Sequence, residues 1–113
     1  MRTLLNTMDF PEIKSFLTEA TQDTIIVFQN RELEIEMEMF LTNIIKAKFK
    51  HSRYYTPSGV CMYIRHVGNI HDAYKLVGLE VGNIIVHEKV ALPLDVFRYL
   101  ETHIRFIKDV EHD

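Results

Sequence analysis

The stretch ELEIEMEM, residues 32–39, alternates a carboxylate with an apolar side chain, and KAKFK, residues 46–50, alternates lysine with alanine or phenylalanine. How this pair is read decides the fold. As a helix, residues 31–50 align Leu33, Met37, Phe40, Leu41, Ile44 and Ile45 on one stripe, and Glu, Leu, Met and Lys all favour helix. That helix also sets Glu32/Glu36, Glu34/Glu38 and Lys46/Lys50 four residues apart. Each like-charge pair costs up to roughly 0.5 kcal/mol, and only Arg31/Glu34 opposes them. As a hairpin turning through Leu41-Thr42-Asn43, Glu38 faces Lys46, Glu36 faces Lys48 and Glu34 faces Lys50, while Met39/Ile45, Met37/Ala47 and Ile35/Phe49 meet on the other side. Opposite charges across strands contribute about 0.2–1 kcal/mol each and fix register, so the charge pattern predicts the hairpin. The glutamate row then reads as a solvated, lysine-paired face. Alternate carboxylates ~7 Å apart along a strand place too few ligands on one Ca2+ or Mg2+ for a cation site.

Upstream, Asp9 caps a helix over 9–21, with Glu12 as the reciprocal half of a capping box, Pro11 in the first turn, and Phe10, Ile13, Phe16, Leu17 and Ala20 on its apolar face. TIIVFQ (24–29) is β-branched and aromatic and predicts a strand entering a turn at Asn30-Arg31. Downstream, RYYTPSG (53–59) reads as a loop. VGNI then occurs at 67–70 and again at 81–84, and Gly-Asn between β-rich segments is a two-residue hairpin signal. Taken together, the two turns predict strands at 60–67, 70–81 and 84–91. One face of that meander is apolar, and the other carries Tyr63 opposite Tyr74, Arg65 opposite Asp72, Ile85 and His87. After Pro93, LDVFRYLETHIRFIKDV has Asp95 as cap, a stripe of Val96, Phe97, Leu100, Ile104 and Ile107, and a flank of Tyr99, His103, Phe106 and Val110. The expectation is an α+β single domain spanning 1–113. It has an N-terminal helix, antiparallel β-meanders of about six strands, and a C-terminal helix, with both helices packed on the apolar sheet face.

Composition narrows the function classes. A chain of 113 residues, 47% hydrophobic and 26% charged, suffices for one core. With 13 Lys+Arg against 16 Asp+Glu the formal charge is −3, so a nucleic acid would have to be engaged by a local patch. Cys61 is the only cysteine, which excludes an internal disulfide framework and fits a reducing cytosol. The start MRTLLNTMDFPE reaches Asp9 before any signal-peptide-like apolar run, and no run approaches membrane-spanning length. A cytoplasmic protein without a membrane segment is expected.

Chemistry-bearing motifs are sparse. Ser58 lies in a PSG turn with no G-x-S-x-G elbow, and Cys61 falls mid-strand with nothing nearby to lower its pKa, so no catalytic residue is assigned. Gly68, Gly78 and Gly82 lack the spacing of a phosphate loop, so no cofactor is expected. His66 and His71 flank the first VGNI and would oppose each other across it, yet no H-x-x-x-H, H-E-x-x-H or C-x-x-C spacing supports them and no metal is expected. Two binding surfaces remain. One is a protein or self-association surface built from Tyr63, Arg65, Tyr74, Ile85, His87, Tyr99, His103 and Phe106, aromatic and arginine-rich as interfaces are. The other is KAKFKHSRYY, where Lys46, Lys48, Lys50 and Arg53 interleave with Tyr54 and Tyr55, the chemistry of a nucleic-acid groove with stacking platforms. The leading expectation is a small non-enzymatic regulatory or accessory protein that binds another protein or a second copy of itself. Nucleic-acid binding is the alternative, and an enzyme or metal protein using His66, His71 or His87 is the least favoured.

Overall fold

The computed structural model describes residues 7–78 and 82–108. In chain order these form β1 (Thr7–Met8), α1 (Phe10–Glu19), β2 (Thr24–Phe28), α2 (Arg31–Asn43), β3 (Lys48–Lys50), β4 (Arg53–Tyr55), β5 (Cys61–His66), α3 (Ile70–Tyr74), a 3-10 turn at Lys75–Gly78, β6 (Asn83–His87), α4 (Leu94–Leu100) and β7 (Ile104–Ile107). The strands build one seven-stranded sheet in the order β1-β7-β6-β2-β5-β4-β3. Helices and strands share one fold, as expected, but the sheet is mixed and not a set of antiparallel meanders. β1, β7, β6, β2 and β5 run parallel, β4 alone runs against them, and β3, antiparallel to β4, returns to the common direction.

The parallel core follows from β2. All five residues of TIIVF are buried, so the strand needs cover on both faces. Ile26 and Phe28 look towards α1 and α2, joining Ile13, Leu17, Met37, Leu41, Met62 and Ile85. Ile25 and Val27 look the other way, into Ala73, Leu76, Val86, Val96, Leu100 and Phe106 beneath α3 and α4. The helices therefore divide between two faces instead of sharing one. Among the described residues, no helix is long and apolar enough to cross a membrane.

The hairpin reading of 31–50 is overturned, because residues 31–43 are helical. Asn30 caps α2 by accepting from the Glu32 and Leu33 N–H groups at 2.7 and 3.4 Å, and Glu32 and Glu34 in the first turn favour the positive end of the helix dipole. The like-charge penalty is offset locally. Arg31 Nη1 lies 3.3 Å from Glu34 and 3.5 Å from Glu38, while buried Glu34 also bonds His66 Nδ1 at 2.5 Å. Burying Met37 and Leu41 contributes about 1.5–3 kcal/mol each, which outweighs penalties of a few tenths. The helix stops where Lys46 takes a left-handed φ of 64° and the Ala47 N–H returns to the Leu41 carbonyl. Glu32 and Glu36 stay exposed on α2, so neither row of charges pairs with the other.

Asn69 of the first VGNI caps α3, accepting from the Asp72 N–H at 2.9 Å, and makes no hairpin turn, so residues 70–78 are helical and not a strand. The second VGNI leads into β6 at Asn83. Residues 79–81 lie outside the described residues, and the turn assigned there falls partly on them. The C-terminal helix ends at Leu100, where the His103 N–H turns back to the Leu100 carbonyl, and Ile104–Ile107 add a parallel strand beside β6. Ile104 and Phe106 then fill one core while Ile107 joins the other. The tail of that helix at 109–110 lies outside the described residues. The helix at 9–21 is present as α1, with Asp9 accepting from the Glu12 N–H at 3.0 Å, and the strand at 24–29 is present as β2.

The separation of the charge rows gives a direct test. Glu36→Lys and Lys48→Glu should be additive within roughly 0.5 kcal/mol in urea unfolding, because the two residues sit on different elements without shared partners. A coupling well beyond that would restore the paired-strand register.

Candidate functional site

β3 and β4 form a two-residue hairpin through His51 and Ser52, both at positive φ, 53° and 64°. This is the backbone of a tight turn that normally takes Asn-Gly, made here by two residues with Cβ atoms. Left-handed φ costs such residues roughly 1–2 kcal/mol apiece, and strain of this kind concentrates where a segment has a task beyond folding.

Strand alternation decides which side chains this hairpin presents. Phe49 pairs with Tyr54, their rings 4.8 Å apart, and Tyr54 pairs with Met62 on the α1/α2 side. Burial foremost, then the Glu38 charge, holds the Tyr54 phenol above the usual tyrosine range, with Arg31 opposing. The alternate residues therefore share the opposite face: Lys48 and Lys50 of β3, Arg53 and Tyr55 of β4, Tyr63 and Arg65 of β5. Arg53 lies over the Tyr63 ring, 5.0 Å from its centroid, which confirms the shared face. α3 and α4 cover the middle of this side of the sheet, and their core takes no residue from β3 or β4. Lys48, Lys50 and Arg53 are exposed, while Tyr55, Tyr63 and Arg65 are half-buried.

The result is a platform of four cations and two tyrosines without an acidic residue from the strands that form it. Among the described residues, no ion pair joins Lys48, Lys50, Arg53 or Arg65 to a carboxylate. The platform draws on both predicted sets. From the basic segment it takes Lys48, Lys50, Arg53 and Tyr55, leaving Lys46 exposed at the end of α2 and Tyr54 on the other face. From the interface set it takes Tyr63 and Arg65. The meander pairs Tyr63/Tyr74 and Arg65/Asp72 do not form, since Asp72 and Tyr74 are on α3.

The remaining interface candidates scatter. Ile85, His87 and Phe106 are core residues at 0%, 3% and 2% exposure, which removes them from any surface. Tyr74 and Tyr99 are exposed on α3 and α4, and His103 is exposed in the turn after α4. Tyr74 donates to both carboxylate oxygens of Asp95 at 3.1 Å, and this bond raises its phenol pKa. His66 and His71 do not oppose each other. His66 ends β5 and bonds Glu34 across the α1/α2 side, whereas His71 lies on α3, and among the described residues no three His, Cys, Asp or Glu side chains are grouped to hold a metal.

The sequence signal for the platform was present in KAKFKHSRYY. Tyr63 and Arg65 fall to the other predicted surface in the sequence, because they come from β5 and reach the hairpin only through sheet pairing. Relief of the turn strain offers a check: His51→Asn with Ser52→Gly should stabilise the chain by about 1 kcal/mol or more, read as a higher urea midpoint at unchanged slope. Compared with known proteins, the chain matches no family model, no curated protein and no solved structure at a significant level.

Proposed function

We propose that this chain is a small non-enzymatic binding protein of the cytosol that takes single-stranded nucleic acid on the Lys48/Lys50/Arg53/Tyr55/Tyr63/Arg65 platform. The observation that carries this reading is four cations, joined to no carboxylate among the described residues, interleaved with two tyrosines on one sheet face, in a chain whose net charge is −3. Phosphates are met by the cations and bases by the ring of Tyr55 and the stacked Arg53 guanidinium, a combination that tolerates any sequence because every base has a π-face. A flat sheet face suits unpaired bases better than a duplex, which hides them. Cys61, free and buried, accords with a reducing compartment.

Fluorescence anisotropy with a labelled oligothymidylate tests it. Association should weaken with salt by about 0.7 in log K per log unit for each cation engaged, up to about 3 for four cations. Lys50→Glu should flatten that slope, and Tyr55→Ala should cost about 1–3 kcal/mol of binding. No association at low salt overturns the proposal.

A second reading, self-association, is favoured by the outer side of α3 and α4, where Ile70, Leu94 and Tyr99 are 63%, 64% and 61% exposed. The occupant would be a second copy. Sedimentation should then show a concentration-dependent dimer that Leu94→Glu dissociates, whereas a monomer at all concentrations removes this reading.

A further inference from the structure

The parallel core has a second place where its topology converges. From β2 the chain departs to α2 on one face, whereas from β5 and β6, the neighbours of β2 on either side, it departs to α3 and α4 on the other. The carboxyl end of β2 is thus a topological switch point, the place in open parallel sheets where diverging connections leave a crevice and ligands bind. A crevice of about 450 Å³ lies there, within the roughly 300–1,000 Å³ range of small-molecule sites. Gln29 from the end of β2, Val67 and Gly68 from the end of β5, Ile70, and Lys89 and Leu92 from the connection after β6 line it.

Its walls are held from behind. The Lys89 N–H donates to Nδ1 of buried His87 at 3.2 Å and the Val90 N–H to the His87 carbonyl at 2.9 Å, which fixes the chain that carries Lys89. On the other side the chain passes so close over His66 that a Cβ on Gly68 would stand 2.8 Å from His66 Nε2, and that ring is pinned by Glu34. Two features of the lining indicate a ligand's chemistry. Lys89 is the one lining residue with a formal charge, and no ion pair occupies it among the described residues. Gln29 Oε1 is a buried acceptor without a hydrogen-bond partner among the described residues, a state that costs about 1–3 kcal/mol and that only a ligand's hydroxyl or N–H, not its carboxylate, would relieve. The other walls are mostly apolar.

We propose that this crevice binds a small organic carboxylate with an apolar body, its charge met by Lys89 and its body lying against Val67, Ile70 and Leu92, with Gln29 Oε1 placed to accept from a hydroxyl where that body carries one. The crevice shares no residue with the sheet platform, so the two readings stand or fall separately. The test is amide chemical-shift titration of the full chain with benzoate, with benzyl alcohol as the same body without charge, and with acetate as the charge without the body. Benzoate should shift Gln29, residues 67–70 and Lys89 saturably, with the two controls at least about tenfold weaker. Lys89 is exposed, so Lys89→Met should keep the spectrum of the rest of the chain. It should weaken benzoate by at least about tenfold while leaving benzyl alcohol unchanged. No saturable benzoate shift, an unchanged affinity in Lys89→Met, or shifts confined to the Lys48–Arg53 hairpin would each overturn the proposal.

Discussion

Every side chain of β2 is buried, and both of its edges are hydrogen-bonded to parallel neighbours. Most of the architecture follows from that. Parallel neighbours cannot be joined by tight turns, so each connection must travel the length of the sheet, usually as a helix. The segment from Phe28 to Cys61 therefore has to contain a crossover, and ELEIEMEM is its helical part. The same requirement acts on residues 67–82 and 88–103, where α3 and α4 replace the strand and the longer helix that local pattern suggests. Two apolar faces on one strand demand cover from both sides, which assigns α1 and α2 to one layer and α3 and α4 to the other.

This arrangement also decides the electrostatics. Once 31–43 is a helix, the glutamates divide between a bonded network, in which Arg31 bridges Glu34 and Glu38 and buried Glu34 holds His66, and an exposed pair, Glu32 and Glu36, on the outside of α2. Lysines 48 and 50 point to the opposite side of the sheet, towards Arg53 and Arg65. Charges that a hairpin would have neutralised are instead held apart by the thickness of the sheet. A chain of net negative charge thereby gathers four cations, Lys48, Lys50, Arg53 and Arg65, beside one another on one sheet face.

Several elements were legible from local rules because the physics that fixes them is local. Asp9 with Glu12 marks the start of α1 by capping, and TIIVF marks β2 by its β-branched run. The parallel sheet had a signal that alternation rules undervalue. TIIVF and NIIV are unbroken apolar runs, which a strand exposed on one face does not need and a strand covered on both does. The β3–β4 hairpin carried almost no signal, because His51-Ser52 supplies the positive φ values that Asn-Gly usually announces. Conversely, the Gly68-Asn69 turn signal was genuine as a chain reversal but was used as a helix cap.

The amino-acid sequence by itself determined the helix at the N-terminus, the apolar strands, the basic-aromatic composition of 46–55 and the lone thiol. Each depends on neighbours within a few residues. Only the tertiary structure decided that ELEIEMEM is a helix, that the strands run parallel, that Tyr63 and Arg65 lie beside Lys48, Lys50 and Arg53, and that Gln29 and Lys89 border one crevice. These depend on which strand lies next to β2. That choice is made by burying both faces of a strand at once, worth several kcal/mol, against local charge and turn preferences worth a few tenths each.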